Sequence, residues 1–188
     1  MLKRAIFWVE GKLRKARAKL MLKAEAFNVL RLAIYIHYNQ FNPHSGSPLW
    51  FHLDDVLFDM RRYQKNISID MQSAALLHES LDNITVNELR DFLADFHGLD
   101  IDKVISYILD CRPVYTKEIY PDLSDNDRII LERNRQYKLP NPSRWLLVCD
   151  FRCHLKILIK HNSKLVDNYV SQFGPVEEAL PFLKSLGK

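Results

Sequence analysis

From Ala24 onward the apolar residues recur at mixed three- and four-residue intervals, which is the spacing of a helix face rather than the strict alternation of a half-buried strand. The stretch "AEAFNVLRLAIYIHYNQF" (24–41) reads as a buried helix that stops at "NPHSGSP" (42–48), where Pro43, Gly46 and Pro48 are breakers. A helix over 49–63 starts just after Pro48, close to the position proline prefers. "IDMQSAALLHESLDN" continues the pattern, and "TVNELRDFLADF" opens with Thr85 and Glu88 spaced as a capping box. A helix over 100–111 is entered after Gly98. Residues 112–128, with Pro113 and Pro121, read as an irregular excursion; helix returns at 127–137, breaks at Leu139–Ser143 and resumes at 144–162. The tail after Asn162 gives two short helices divided by Gly174-Pro175. With no internal repeat, low-complexity tract or long linker, the expectation is a single all-α domain.

Composition narrows the functions. A chain of 188 residues suits one domain with a sizeable core. Five glycines are few for an all-β protein or a nucleotide-binding α/β sheet, both of which spend glycine on turns. The sequence contains no GxGxxG, GxxxxGK[ST] or GxSxG, so those phosphate loops and the nucleophile elbow have no support. Cys111, Cys149 and Cys153 are odd in number and form no disulfide framework. Cys149, Cys153 and His154 lack a fourth ligand at zinc-finger spacing, and buried helix thiols are the commoner case. No apolar stretch reaches membrane-spanning length and no signal peptide is evident, so a cytoplasmic location is expected.

The net charge of +4 is unevenly placed. Residues 1–24 carry eight Lys/Arg against Glu10 alone, leaving the remainder of the chain acidic. This segment reads as a basic N-terminal helix, part of or packed on a domain spanning 25–188. The alternative is contact with an anionic surface, lipid or nucleic acid, through its basic face. A packed, solvated helix is favoured because charge runs usually just face water.

Polar residues gather on otherwise apolar helices. His78, Glu79 and Asp82 fall within what the pattern reads as a single helical turn, so their tips can converge. His52 interrupts "LWFHL", His37 closes the long apolar helix, and Asp150 sits inside "WLLVCDF". An ionised carboxylate is costly in such surroundings unless it is paired or binds a cation. Singly, each histidine reads as a satisfied core or boundary residue, and Asp150 beside Arg152 as a salt bridge. Together, His52, His78, Glu79 and Asp150 form a set of two imidazoles and two carboxylates that suits Mn²⁺, Fe²⁺ or Zn²⁺. Such a set leaves positions open for water and a phosphoryl oxygen.

The order of a histidine, then a His-acid pair on an "ALLH" helix, then an Asp on a late helix resembles the HD superfamily of metal-dependent phosphohydrolases. More closely, it is similar to the hydrolase domain of the RelA/SpoT family and its small stand-alone members, which cleave the 3′-pyrophosphate of guanosine tetra- and pentaphosphate with one Mn²⁺. The likeness runs from about Ala26 to about Leu165. "HYNQFNPHSGSPLWFHLDDV" resembles the family's H-x-x-Q-x-R…G-x-P-Y-x-x-H-P segment, and "AALLHESLDNITVNEL" its A-A-L-L-H-D-x-x-E-D-T run. "RNRQYKLPNPSRWLLVCDFRCHL" resembles the stretch leading into K-L-A-D-x-x-x-N.

The resemblance implies a compact HD-type helical bundle. It also implies metal ligands at His52, His78, Glu79 and Asp150, with Glu79 replacing the family's Asp. Asp82 takes the place of the first catalytic acid, and Asn83 replaces the second. The substrate positions are His37, Gln40, Asn42 and His154; Asn42 stands where the family has a phosphate-binding Arg, and His154 where it has Asn. Arg61, Arg62, Lys65 and Arg144 are candidates to balance substrate phosphates. The expected function is a metal-dependent phosphohydrolase acting on a nucleotide, with one divalent transition metal, Mn²⁺ foremost. The alternative is a catalytically weakened HD domain serving as a binding or regulatory module. Circular dichroism of the purified chain is expected to show helix with little strand, because no segment sustains period-two alternation; a substantial sheet signal overturns the HD assignment.

Overall fold

The computed structural model describes residues 2–21, 24–64 and 66–175. Among these the helices are α1 (Leu2–Met21), α2 (Ala24–Ile36), α3 (Trp50–Tyr63), α4 (Ile69–Leu77), α5 (Val86–Leu93), α6 (Ile101–Cys111), α7 (Asp125–Tyr137), α8 (Asn141–His161) and α9 (Val166–Gln172). Short 3₁₀ turns lie at Ser80–Asp82 and Ser163–Leu165. No strand occurs among the described residues; the only β pairing there is one antiparallel bridge, Phe41 to Pro48. The fold is all-α. The second tail helix expected after Pro175 lies outside the described residues. The chain divides into two compact units, residues 1–109 and 110–188, with the boundary inside the last turn of α6. No composition shift marks it.

In the first unit α4 packs on both α2 and α3. Every residue from Asp70 to Leu77 is buried, as expected of a helix enclosed on all faces. Its start is fixed by Ser68, whose hydroxyl accepts from the Met71 N–H at 3.2 Å. Around it lie Val29, Leu30 and Ala33 of α2 and Leu53, Val56 and Leu57 of α3, all fully buried. The capping box of α5 forms as its spacing indicates: Glu88 N–H donates to Thr85 Oγ1 at 3.2 Å, and Thr85 N–H donates to Glu88 Oε2 at 2.7 Å.

Helix α1 lies against α3 through side chains of opposite charge. Arg14 donates to Asp54 at 3.0 Å, Asp55 at 2.6 Å and Glu10 at 2.9 Å, and Arg17 reaches Asp54 at 2.7 Å. Gly11 faces Trp50 so closely that an added Cβ would lie 3.3 Å from the ring, which explains the small residue there. Burial pushes the Asp54 carboxyl above its ordinary value, with Arg17 and Arg14 pulling it back. Ile6, Val9 and Leu13 of the same helix are exposed.

Several boundaries differ from the sequence expectation. Helix α2 ends at Ile36 rather than at 41, because the backbone of the next residues is claimed by the loop. Leu49 N–H donates to Gln40 O at 2.9 Å, and Asn42 N–H to Ser47 O at 2.8 Å. Helix α8 starts at Asn141, with Pro142 tolerated in its first turn, where the helix needs no amide donor. Helix α7 begins at Asp125 under a Ser124 cap that accepts from the Asp127 N–H at 3.1 Å.

In the second unit α8 and α9 pack around Phe151, whose ring is nearly parallel to Phe173 at 3.8 Å and to Tyr169 at 5.1 Å between centroids. The buried stripe of α7 is polar: Arg128, Glu132 and Gln136, at four-residue steps, are each less than a tenth exposed, whereas Ile130 faces outward. Glu132 is its hub. Its Oε2 accepts from the N–H groups of Val114 at 3.0 Å and Tyr115 at 3.2 Å, and Arg135 donates to its Oε1 at 2.5 Å. Arg128 ties the 112–124 excursion down by donating to the carbonyls of Tyr120 and Leu123. Gln136 accepts from the Gly174 N–H at 2.7 Å. A Cβ on residue 174 would sit 2.7 Å from the Arg133 carbonyl, so this approach requires glycine.

Burial works against ionised Glu132, but Arg135 and the two backbone donors outweigh it and hold its carboxyl below the ordinary carboxylate range. A depressed folded-state pKa contributes stability above the unfolded value, lost as pH falls through the folded one. Glu132→Gln is expected to cost about 2–3 kcal/mol at neutral pH by leaving Arg135 and two amide donors without a charged acceptor. Urea unfolding should also show a shallower loss of stability below about pH 4.5 than in the wild type. An unchanged acid limb contradicts this assignment.

Candidate metal centre

The end of α4 delivers the first donors. The α-helix stops at Leu77; His78 caps it, and Glu79 takes φ −94° and ψ 0° before the chain enters the 3₁₀ turn Ser80–Asp82. His78, Glu79 and Asp82 therefore do not share one α-helical turn, contrary to the periodicity reading. Local hydrogen bonding accounts for the change, since Asp82 N–H donates to Glu79 O at 3.2 Å and Asn83 N–H to Ser80 O at 3.0 Å, tightening the last turn.

His78 is buried, with its Nδ1 at 2.9 Å from the Ala75 carbonyl. A carbonyl only accepts, so Nδ1 carries the proton and the lone pair of the neutral ring sits on Nε2. That Nε2 lies 3.9 Å from Glu79 Oε1. His52, in the first turn of α3, presents its Nε2 at 3.6 Å from the same oxygen. The two imidazoles stand edge to face with centroids 5.5 Å apart. Two nearly enclosed imidazoles thus flank a carboxylate that is about a fifth exposed.

Beside them lies a second cluster. His37 is fully buried at the end of α2, and its Nδ1 donates to Gln40 Oε1 at 2.5 Å. Gln40 in turn donates to Asn83 Oδ1, and Asn83 Nδ2 lies 3.3 Å from Gln40 Oε1. Burial holds the His37 pKa below its ordinary value; the Gln40 bond and the Glu79 charge oppose that without reversing it. The ring is therefore neutral, and its Nε2 finds no hydrogen-bond partner among the described residues. Asn42 is placed elsewhere in the loop, where its buried Oδ1 accepts from the N–H groups of His44 and Ser45, each at 3.0 Å. Its side chain closes an Asx turn.

The second unit carries Asp150 and His154, one helical turn apart on α8. Their side chains are 20% and 26% exposed, and His154 Nε2 lies 3.3 Å from Asp150 Oδ1. Asp150 also lines a cavity of about 600 Å³ in this unit, walled by Phe151, Tyr169 and Phe173 on its apolar side and by Arg128, Glu132 and Gln136 on its polar side. Arg152, two residues on from Asp150, points instead into the protein and is buried. Among the candidate phosphate-balancing residues, Arg61 donates to Gln72 and Arg144 to Tyr137 O and Asn141, while Lys65 lies outside the described residues.

The described residues include His/Glu/Asp donors with the chemistry to hold a metal ion, His52 and Glu79 in the first unit and Asp150 and His154 in the second. The donor types fit a divalent transition metal, and the Ala75 carbonyl behind His78 is the kind of backing that fixes a ligating tautomer. His154 was expected among substrate contacts. It stands four residues after Asp150 on the same helix face, with its Nε2 3.3 Å from Asp150 Oδ1.

No family model matches the sequence, and no curated protein matches it. Among solved structures, that of a metazoan ortholog of SpoT, which hydrolyzes ppGpp and plays a role in starvation responses, is similar to this chain. The TM-score is 0.63 at 14% identity, covering 80% of this chain and 82% of that one. At that identity the likeness is one of fold: this chain shares the all-α fold of that structure.

Proposed function

We propose that this protein is a metal-dependent phosphohydrolase acting on a nucleotide. His52, His78, Glu79 and Asp150 would hold one divalent transition metal, Mn²⁺ foremost on the resemblance. The observation that carries the reading is the His52–Glu79–His78 cluster, in which a backbone carbonyl sets one imidazole as a lone-pair donor toward the same carboxylate that the other faces. A divalent cation there supplies Lewis acidity toward a phosphoryl oxygen and acidifies water. Asp82, exposed on the 3₁₀ turn, is the carboxylate available to orient or deprotonate that water. Gln40 and Asn83, held to each other and to neutral His37, offer amide groups that position a substrate oxygen. The cavity beside Asp150 is of the size small-molecule sites have. A guanosine tetra- or pentaphosphate is the first substrate to test, because the similar solved structure is of a ppGpp hydrolase. Cys111, Cys149 and Cys153, held as thiols rather than disulfides, suit a cytoplasmic setting.

A second reading, a catalytically weakened domain kept for binding or regulation, draws on one observation. Asn83, standing where the family has an acid, is an amide tied into the Gln40 network and offers no proton acceptor of carboxylate strength. Metal analysis of protein purified without added metal, followed by a screen of nucleotide phosphates with Mn²⁺, tests both. The first reading expects about one equivalent of metal and phosphate release from at least one nucleotide. Glu79→Asp with Asn83→Glu is expected to raise metal affinity and turnover together, since general-base help is worth roughly 10²–10⁴-fold in rate. Metal binding without turnover in either form favours the regulatory reading, and absence of both removes the enzyme.

A further inference from the structure

We propose that His154 is itself a ligand of the metal, so that α8 grips the ion with two donors rather than one. This rests on the proposed metal centre and adds to it a nitrogen that the sequence resemblance assigns to substrate. The geometry that points to it is local to α8. Asp150 and His154 lie one turn apart, and their tips, Oδ1 and Nε2, converge to 3.3 Å at a half-buried surface. Two donors four residues apart on a helix close on a single point, the spacing by which paired histidines chelate a metal in helical metalloprotease motifs. The imidazole is steadied by Tyr169, whose ring centroid lies 6.2 Å away at a tilt of 58°. Tyr169 in turn stacks on Phe151, so the histidine leans on an ordered aromatic wall.

The chemical consequence is selectivity. Adding His154 puts an imidazole beside the carboxylate of Asp150 in the ligand set. Imidazole favours Co²⁺, Fe²⁺ and Zn²⁺ over Mn²⁺ more strongly than carboxylate or amide oxygen does. A histidine that merely oriented Asp150 by hydrogen bonding would strengthen every metal alike, and its loss would typically cost about 10–100-fold whichever ion is bound. A ligating histidine changes the ratio between metals.

Chelator competition with Co²⁺ alone and Mn²⁺ alone, on the full chain and on His154→Asn and His154→Gln, separates these roles. Both replacements keep an amide able to bond Asp150, and circular dichroism checks that they fold. Co²⁺ affinity is expected to fall by more than about 100-fold, beyond the loss of an orienting partner, and Mn²⁺ affinity at least tenfold less. Proton NMR of the Co²⁺-loaded proteins gives an independent count. Each ligating imidazole contributes one exchangeable, paramagnetically shifted N–H, so the wild type should show one more such signal than either variant. Equal losses for the two metals, or an unchanged count of shifted N–H signals, overturn the ligand role of His154 while leaving the metal centre standing. A wild-type chain that binds neither ion overturns both.

Discussion

The enclosure of α4 on all its faces is the constraint from which the first unit follows. A helix buried from Asp70 to Leu77 must find partners for its last carbonyls largely within the chain. His78 does this for Ala75, and the 3₁₀ turn that follows supplies the next partners. The same act fixes the ring of His78 and sets Glu79 beside it, facing His52 from α3. Packing and chemistry are thus one problem here. The most buried helix of the unit ends in the donors, and its C-terminal hydrogen bonding decides which nitrogen of His78 is left to donate.

The charged groups that are buried elsewhere fall into a different class. Asp54 is enclosed by Arg14 and Arg17, and Glu132 by Arg135 and two backbone amides, so each carboxylate meets cationic or amide donors nearby. Such arrangements offset the cost of removing a charge from water and hold elements together: α1 on α3 in one unit, and the 112–124 excursion on α7 in the other. The cluster of His52, His78 and Glu79 is instead rich in acceptors, with two imidazoles around one carboxylate. A cation is the group that such a cluster suits.

The positions that depart from the RelA/SpoT pattern do not share one fate. Asn42 is absorbed by its loop, where its carbonyl oxygen caps two amides and its burial serves the turn. Asn83 joins Gln40 and His37 in a neutral hydrogen-bonded chain. His154 pairs with Asp150. Where the family pattern has cations or acids, this chain presents amides and an imidazole.

Much of the fold was legible in the sequence because its determinants are local. Apolar spacing announced the helices, Thr85 and Glu88 announced a capping box, and the order of His52, His78 and Asp150 carried the resemblance to the HD pattern. Periodicity could not show that α2 ends early, since what ends it is pairing across the loop from Gln40 to Leu49, or that Glu79 leaves the helix, since the carbonyl that draws in His78 belongs to a buried end. Nor did hydropathy reveal that α7 turns Arg128, Glu132 and Gln136 inward, because their burial depends on partners such as Val114, Tyr115 and Gly174 that no local window contains. The sequence by itself determined the helical class and the kinds of donor atom, because spacing and side-chain chemistry are carried by each segment alone. Only the tertiary structure decided which nitrogen of His78 donates, that Asn42 serves its loop, and that His154 stands with Asp150, because these depend on groups brought together by packing and on backbone geometry that propensity does not encode.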